Sequence, residues 1–209
     1  MLILLLACVG RDTQSTLQAA AAEAYPGLRD EVLQAALRSY RCARKEGFAR
    51  KRTLTIIDFE LPSTEKRLWV INLRRGELLF HDHVSHGKNT GEDLATDFSN
   101  IVDSKQSSIG VFQTAETYIG KNGLSLRLDG LEPGFNDAAR ERYIVLHGAD
   151  YVSQEHIDEF GRLGRSWGCP AVPLEITEAL IERIDRGTLL FTWYPDSNWL
   201  SASRFLNCP

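Results

Sequence analysis

A cysteine and a histidine are the residues of this chain whose chemistry is most readily coupled. Cys169 follows Gly168 in a polar segment, and His147 ends a strongly apolar run. A cysteine nucleophile needs a base or a lowered pKa, because the thiolate is the reactive form. A glycine beside it lets backbone N–H groups face a developing oxyanion. The pattern predicts thiol nucleophilic chemistry if the fold unites the two residues, and a buried structural cysteine beside a core-edge histidine if it does not.

Composition excludes several classes of protein. The chain has 209 residues, of which 43% are hydrophobic and 9% aromatic, too many for a disordered chain and enough for one domain with a core. The net charge is −4, which does not favour nucleic acid or an anionic membrane surface as a partner. No apolar run approaches the roughly 20 residues that span a bilayer. Four cysteines do not make a disulfide scaffold.

The N-terminus predicts export. Residues 1–8 are apolar and end in Ala7 and Cys8, and the stretch from Leu5 to Cys8 resembles the lipobox of bacterial lipoproteins, in which the cysteine is acylated. We expect a periplasmic or cell-envelope protein, with a possible membrane tether through Cys8. Because no basic residue precedes the apolar part, a first strand, or a true start lying further upstream, stays open.

Hydrophobic periodicity predicts one mainly β (α+β) domain with a helical N-terminal extension. Apolar residues at spacings of three and four predict a helix over 28–46, and a second helix is expected over 174–185. Turn residues separate short strands, first in an antiparallel meander and then around a hairpin at Asn122 and Gly123. The expected strands are 54–59, 68–73, 78–84, 109–114, 118–131 (the hairpin), 143–147 and 189–194.

Four segments follow from this pattern. Residues 1–27 form a signal or lipobox-like segment and linker, 28–47 the N-terminal helix, 48–200 the main β domain and 201–209 a C-terminal tail. Within the domain, residues 85–107 are polar and too long for an ordinary connection, which makes them a candidate functional loop.

The motif Ser166-x-Gly168-Cys169, preceded by His147-Gly148 on a strand, resembles the murein L,D-transpeptidase catalytic domain. It is closest to the branch in which the motif continues into Cys-Pro. The similarity covers roughly residues 50–195 and implies the fold of that family, an L,D-transpeptidase-like β-sandwich or mixed sheet. Further similar stretches are 57–59, 61–63, 66–68, 83–87, 98–100, 107–110, 120–123, 126–131, 145–151 and 164–170.

The resemblance implies acyl transfer on peptidoglycan stem peptides, with no cofactor and no metal. Cys169 attacks the carbonyl between the L-centre of a diamino acid and a D-residue, and His147 moves the proton. A thioester on Cys169 is then resolved by an amine, which makes a transpeptidase, or by water, which makes an L,D-carboxypeptidase. The N–H groups of Gly168 and Cys169 form the expected oxyanion hole. Ser166 either assists His147 or the hole, or caps the local turn.

Substrate contacts are less constrained by the motif. Arg165 and Arg127 either hold a substrate carboxylate or serve structure, since a guanidinium suits both. Trp167 is a cleft wall or a packing anchor. The better-studied branch has a histidine where Trp167 stands and an arginine where Ala171 stands. Donor and acceptor specificity therefore do not carry over from the resemblance.

Three alternatives stay open. His81, His83 and His86 lie close enough in sequence to suggest a zinc hydrolase, although Ser85 occupies the place of the aspartate that such motifs carry. The domain also fits a non-catalytic protein that binds cell-wall peptides. Finally, Cys42 and Cys208 would pair in an oxidising compartment if their Cα atoms approach closely enough.

Overall fold

Eight strands hydrogen-bond into a single mixed sheet, which confirms the prediction of a mainly β domain with a mixed sheet. A computed structural model describes residues 23–208 of the chain. The strands are β1 (Thr53–Asp58), β2 (Leu68–Asn72), β3 (Glu77–Asp82), β4 (Gly110–Gly120), β5 (Gly123–Gly130), β6 (Val145–Ala149), β7 (Ala171–Pro173) and β8 (Leu189–Trp193). Their order across the sheet is β3-β2-β1-β8-β4-β5-β6-β7.

The predicted meander and hairpin are both present. Strands β1, β2 and β3 pair antiparallel, and β4 and β5 form a hairpin whose turn begins after Gly120. The long-range pairings were not predicted. Strand β8 lies between β1 and β4, parallel to β1, and the short β7 pairs parallel with β6. This last pairing aligns His147 with Ala171, so Cys169 enters the sheet edge beside His147.

Four helices flank the sheet in the described part of the chain. They are α1 (Asp30–Lys45), α2 (Gln154–Phe160), α3 (Leu174–Ile184) and α4 (Ser197–Ala202). Helices α1 and α3 confirm the two predicted helices. Helix α2 lies in a stretch for which the sequence predicted no helix or strand. It is begun by the Ser153 side chain, which accepts a hydrogen bond from the His156 N–H, and it ends at the left-handed Gly161.

Apolar clusters cover both faces of the sheet. Along β1, Leu54 and Ile56 belong to one cluster and Ile57 to the other, because successive strand side chains point to opposite faces. Helix α1 packs on the first cluster and α3 on the second. The C-terminal segment packs on the first as well, since Trp199 and Phe205 are fully buried there. The segment predicted as a tail therefore contributes to the core.

A buried arginine joins the β1–β2 connection to the chain after β3. The Arg67 guanidinium has no exposed surface and donates to the carbonyls of Val84 (3.0 and 3.1 Å) and Leu61 (2.7 Å). It also lies 2.8 Å from Nδ1 of His86. Since a guanidinium only donates, Nδ1 accepts and Nε2 carries the hydrogen that meets the Glu92 carbonyl at 3.0 Å. Burial, reinforced by the Arg67 charge, lowers the pKa of His86 to about 4.

The two ends of the described chain are joined covalently. Cys42 of α1 and Cys208 form a disulfide, with their Cα atoms 6.0 Å apart. Sequence left this pairing open. Residues 1–22 are outside the described part of the chain, and with them the predicted signal, lipobox and Cys8 tether. Within residues 23–208, no helix is long and apolar enough to cross a membrane.

We expect the disulfide to stabilise the fold strongly, because it closes a loop with a sequence separation of 166. The double variant Cys42→Ser/Cys208→Ser should lose about 2–5 kcal/mol of unfolding free energy in urea titrations. Cys169→Ser is the matched control, since Cys169 forms no disulfide. An unchanged midpoint for the double variant would show that the bond contributes nothing.

Arg67→Met should destabilise the domain, because it leaves two carbonyls and Nδ1 of His86 without their donor. We expect a loss of about 2–4 kcal/mol in the unfolding free energy, measured by urea titration. The control is Arg75→Met, which removes an exposed guanidinium paired only with Glu77 and should change stability by at most about 0.5 kcal/mol. Equal losses in both variants would refute the structural role of Arg67.

Candidate active site

A tight turn carries the candidate nucleophile to the edge of the sheet. The Ser166 hydroxyl accepts from the Gly168 N–H at 3.0 Å and donates to the Cys169 carbonyl at 2.6 Å. Gly168 has φ +122°, a conformation that residues with a side chain rarely adopt. The turn is therefore closed by a serine and made possible by a glycine, and it directs Cys169 into β7.

The predicted functional loop, residues 85–107, supports this turn from behind. The Ser85 N–H donates to the Ala171 carbonyl and the Lys88 N–H to the Ser166 carbonyl, each at 2.8 Å. The Ser107 hydroxyl donates to the Gly168 carbonyl at 3.1 Å. The loop thus acts through its backbone and the Ser107 hydroxyl, as a second scaffold for the catalytic turn.

Two backbone groups flank the Cys169 thiol. Sγ lies 3.5 Å from the Val145 nitrogen and 3.6 Å from the Tyr143 carbonyl oxygen. Tyr143 has φ +54°, which is unusual for a residue with a side chain, and its ring is 74% exposed. Strained backbone of this kind is found at functional sites. Here it turns the Tyr143 carbonyl and the following Val145 N–H toward the same sulfur.

His147 is held in the tautomer that a general base requires. Its Nδ1 lies 2.9 Å from the Gly148 carbonyl oxygen. Because a carbonyl only accepts, Nδ1 carries the hydrogen, and Nε2 keeps its lone pair. His147 and Cys169 line the same cleft. The Gly148 carbonyl therefore has the orienting role that sequence offered to Ser166, whose hydroxyl is used within the turn.

Burial keeps the thiol and the imidazole neutral at rest. It raises the pKa of Cys169, although the Val145 N–H and the charges of Arg142 and Lys121 act in the opposite direction. It lowers the pKa of His147, which the Lys121 charge lowers further. A neutral thiol beside a neutral imidazole is suited to proton transfer during attack, and differs from a preformed thiolate–imidazolium pair.

The cleft around these groups has a volume of about 540 Å³. It is open to solvent on the side of Trp167, whose indole is 66% exposed. Trp167 is thus a wall of the cleft, one of the two roles that sequence allowed. The lining residues are Asp103, Lys105, Tyr118, Lys121, Asn122, Ser125, Arg142, Tyr143, Val145, His147, Tyr151, Arg165, Ser166, Trp167 and Cys169.

One of the two N–H groups expected to form the oxyanion hole is already hydrogen-bonded within the turn. The Gly168 N–H donates to the Ser166 hydroxyl, so Gly168 shapes the turn and its N–H does not face the cleft. The Cys169 N–H makes no hydrogen bond to any described residue and is the donor left from the predicted pair. Tyr151 adds a hydroxyl donor to the cleft lining, because burial raises its pKa to about 12 and keeps it protonated.

The two arginines predicted as substrate ligands have structural partners. The Arg165 side chain is 20% exposed, donates to the carbonyls of Lys88 and Gly91, and pairs with Glu92 at 2.8 Å. Arg127 lies outside the cleft lining, pairs with Glu116 at 3.3 Å and stacks 4.6 Å from the Tyr118 ring centre. Both guanidinium groups are committed to holding the walls of the cleft.

Sequence did not predict Arg142, Tyr143 and Lys121 as site residues. The Arg142 guanidinium donates to four oxygens of the chain between Ser99 and Ser108, at 2.5–3.1 Å, which fixes the loop against the strand that holds His147. Burial lowers its pKa, while the nearby Cys169 acts to raise it. No local pattern marks these residues, because each reaches the cleft only through tertiary packing.

The histidine-rich run does not form a metal site. His81 stacks on Trp69 and lies 3.0 Å from the Lys66 carbonyl, while His83 lies 3.2 Å from the Thr64 carbonyl. His86 is buried against Arg67. Among residues 23–208, no group of three or more potential ligands is placed to hold a metal ion. The zinc-hydrolase interpretation is therefore wrong for the described part of the chain.

Solved structures with similar folds include L,D-transpeptidases from three bacteria. The Mycobacterium smegmatis enzyme is 13% identical with a TM-score of 0.42, over 68% of this chain and 59% of the solved one. The Stackebrandtia nassauensis enzyme is 16% identical with a TM-score of 0.40, over 78% and 65%. A cysteine-to-serine variant from Enterococcus faecium is 14% identical with a TM-score of 0.40, over 68% and 50%. The chain thus spans less than two thirds of each of these solved chains.

Comparison at the level of sequence identifies the family of this chain. No curated protein matches it significantly. The sequence profile of the L,D-transpeptidase catalytic domain, however, matches residues 24–193, most of the chain. That match includes the turn with Cys169, the strand with His147 and the supporting loop. The chain therefore belongs to the L,D-transpeptidase catalytic-domain family.

Proposed function

We propose that this protein is a cysteine-dependent acyltransferase that acts on peptidoglycan stem peptides as an L,D-transpeptidase. The observation that carries the proposal is the shared cleft of Cys169 and His147, in which the Gly148 carbonyl leaves Nε2 of His147 as the basic nitrogen. Membership of the family supplies the substrate class. The cleft is large enough for a peptide, and its open side admits an acceptor.

The reaction proceeds in two halves with one proton carrier. In the first, Sγ of Cys169 bonds to the carbonyl carbon of the diamino acid while His147 takes the thiol proton. The carbon–nitrogen bond breaks, His147 gives the proton to the leaving amine, and a thioester remains. In the second half, an acceptor amine attacks the thioester and loses a proton to His147. The carbon–sulfur bond breaks, and that proton returns to the thiolate.

Charge developing on the carbonyl oxygen needs donors in the cleft. The Cys169 N–H and the Tyr151 hydroxyl have this role in the proposal. The positive charges of Arg142 and Lys121 stabilise the transient thiolate, since both favour the charged form of Cys169. Together these groups offset part of the desolvation that makes the resting thiol neutral.

The chemical nature of the acceptor decides which product forms from the thioester. An amine gives a cross-linked dimer, whereas water gives a shortened peptide and an L,D-carboxypeptidase activity. We favour the amine, because the matching family is that of the L,D-transpeptidase catalytic domain, and the open side of the cleft leaves room for a second peptide. A non-catalytic peptide-binding role would need neither the basic tautomer of His147 nor an accessible thiol.

We also propose that the protein works in the cell envelope. The Cys42–Cys208 disulfide supports this location, since such bonds persist in oxidising compartments, where peptidoglycan is also built. The N-terminal signal and the lipid anchor on Cys8 remain predictions from the sequence.

The direct test is incubation with purified disaccharide tetrapeptides followed by mass spectrometry. We expect a cross-linked dimer and a thioester adduct on the Cys169 peptide. Cys169→Ala should abolish both products, and His147→Gln should slow turnover by about 10²–10⁴-fold. Lys66→Met is a control outside the cleft. Absence of every product, or product formation by Cys169→Ala, would refute the proposal.

The protonation state of the Cys169 thiol in the resting protein can be measured through its alkylation rate. Since burial raises the pKa of Cys169, the thiolate fraction at neutral pH is below that of a free thiol, whose pKa is about 8.5. The rate of Cys169 alkylation by iodoacetamide, followed by peptide mass spectrometry, should still be rising steeply above pH 8.5. A plateau below pH 7 would instead reveal a preformed thiolate–imidazolium pair.

A further inference from the structure

The exposed indole of Trp167 holds two ammonium groups at the mouth of the cleft. Nζ of Lys105 lies 5.1 Å from the ring centre and Nζ of Lys121 lies 5.2 Å from it. Each distance is within the range of a cation–π contact. The two lysines come from different elements, the supporting loop and the β4–β5 turn, so the indole brings together charges that are distant in sequence.

In the described part of the chain, these two ammonium groups have neither the carboxylate partner of Arg165 nor the hydrogen bonds of Arg142. Arg165 is paired with Glu92, and Arg142 is spent on oxygens of the loop. Within residues 23–208, no carboxylate oxygen lies within 4.0 Å of Nζ in Lys105 or Lys121. Ammonium hydrogens pointing into a cleft, with the ring contact as their only fixed partner, can bind an anion.

Charge in the cleft is strongly unbalanced. Its lining contains four cationic side chains and one carboxylate, that of Asp103. The chain as a whole is acidic, with a net charge of −4. A local excess of positive charge favours anionic ligands in this cleft.

Lys121 is the lysine nearer to the chemistry. Its charge acts on both Cys169 and His147, whereas Lys105 influences neither. In the donor peptide, only a nitrogen and one carbon separate the attacked carbonyl from the carboxylate of the residue that leaves. A terminal carboxylate must therefore lie in the same part of the cleft as Sγ, within the field of Lys121.

We propose that Lys121 and Lys105, held together on Trp167, form a subsite that binds the free terminal carboxylate of the acyl donor. The subsite rests on the proposed function for the identity of the donor, but its preference for carboxylates is a property of the cleft itself. In this proposal, two lysines bind the substrate carboxylate for which the sequence suggested Arg165 and Arg127.

Small alkylating agents test the subsite without any peptide. Iodoacetate carries a carboxylate beside its reactive carbon, and iodoacetamide is its neutral analogue. Both need the thiolate, so the ratio of their rates at Cys169 cancels any change in the thiol pKa. Mass spectrometry of the Cys169 peptide excludes contributions from Cys8. Glutathione, measured in the same buffer, gives the ratio for a thiol without a subsite.

We expect the iodoacetate-to-iodoacetamide ratio of the wild-type protein to exceed that of glutathione by about threefold to tenfold at low salt. The excess should shrink as salt screens the cleft. Lys121→Met should bring the ratio close to that of glutathione, Lys105→Met should lower it less, and Lys121→Arg should restore it. Trp167→Leu should lower the ratio, and Trp167→Phe should retain most of it.

Lys66→Met is the matched control, because it removes one positive charge from an exposed lysine outside the cleft. Its ratio should equal that of the wild type. If Lys121→Met slows both reagents equally and leaves the ratio unchanged, Lys121 acts only on the thiol and the carboxylate subsite is refuted.

A peptide arm separates the subsite from the proposed function. The donor tetrapeptide is compared with the same peptide carrying a terminal carboxamide. Wild-type protein should show a KM about tenfold higher for the amide, and Lys121→Met should no longer distinguish the two. If neither peptide reacts while the alkylation ratio behaves as expected, the peptidoglycan function fails and the subsite stands. If the wild type has equal KM values for both peptides, the subsite does not bind the terminal carboxylate.

Discussion

The catalytic turn depends on how closely three segments of backbone approach one another at Gly168. A side chain there would meet the Gln106 carbonyl at 2.7 Å, and one at Gly87 would meet the Lys105 carbonyl at 2.5 Å and Gly168 Cα at 2.9 Å. Only glycines permit this contact. It lets the loop and the turn exchange backbone hydrogen bonds. The nucleophile is thus positioned by backbone contacts, to which the hydroxyls of Ser166 and Ser107 add.

Electrostatics at the site combines two opposing influences. Burial favours neutral forms of Cys169 and His147, while Arg142 and Lys121 favour a thiolate and Lys121 opposes a protonated imidazole. A charge pair is therefore not stored at rest, and the cationic surroundings act mainly when charge develops. The same cations attract an anionic substrate, so one electrostatic field contributes both to substrate binding and to catalysis.

Sequence predicted those parts of the molecule that have local patterns. Periodicity gave the meander, the hairpin and the helices α1 and α3, and the motif around Gly168 gave Cys169 with His147. The parallel insertion of β8 and the short β7 were not predictable, because pairing across the sheet leaves no local signal. Arg67 was missed because charged residues are seldom fully buried. Lys121 sits in a hairpin turn whose sequence is typical of solvent-exposed turns, and only tertiary packing brings it to Trp167.

The covalent link between α1 and the C-terminal segment has a consequence for biosynthesis. Like Cys8, both Cys42 and Cys169 are made well before Cys208, so an oxidant that acts on the growing chain can join Cys42 to Cys169 before the correct partner exists. A bond between them would consume the nucleophile. The correct bond requires Phe205 and its neighbours to be packed against α1, which only the completed chain allows. Assembly of the core must therefore precede oxidation, or an isomerase must correct the pairing. Once formed, the bond removes two thiols that would otherwise be able to form a disulfide with Cys169.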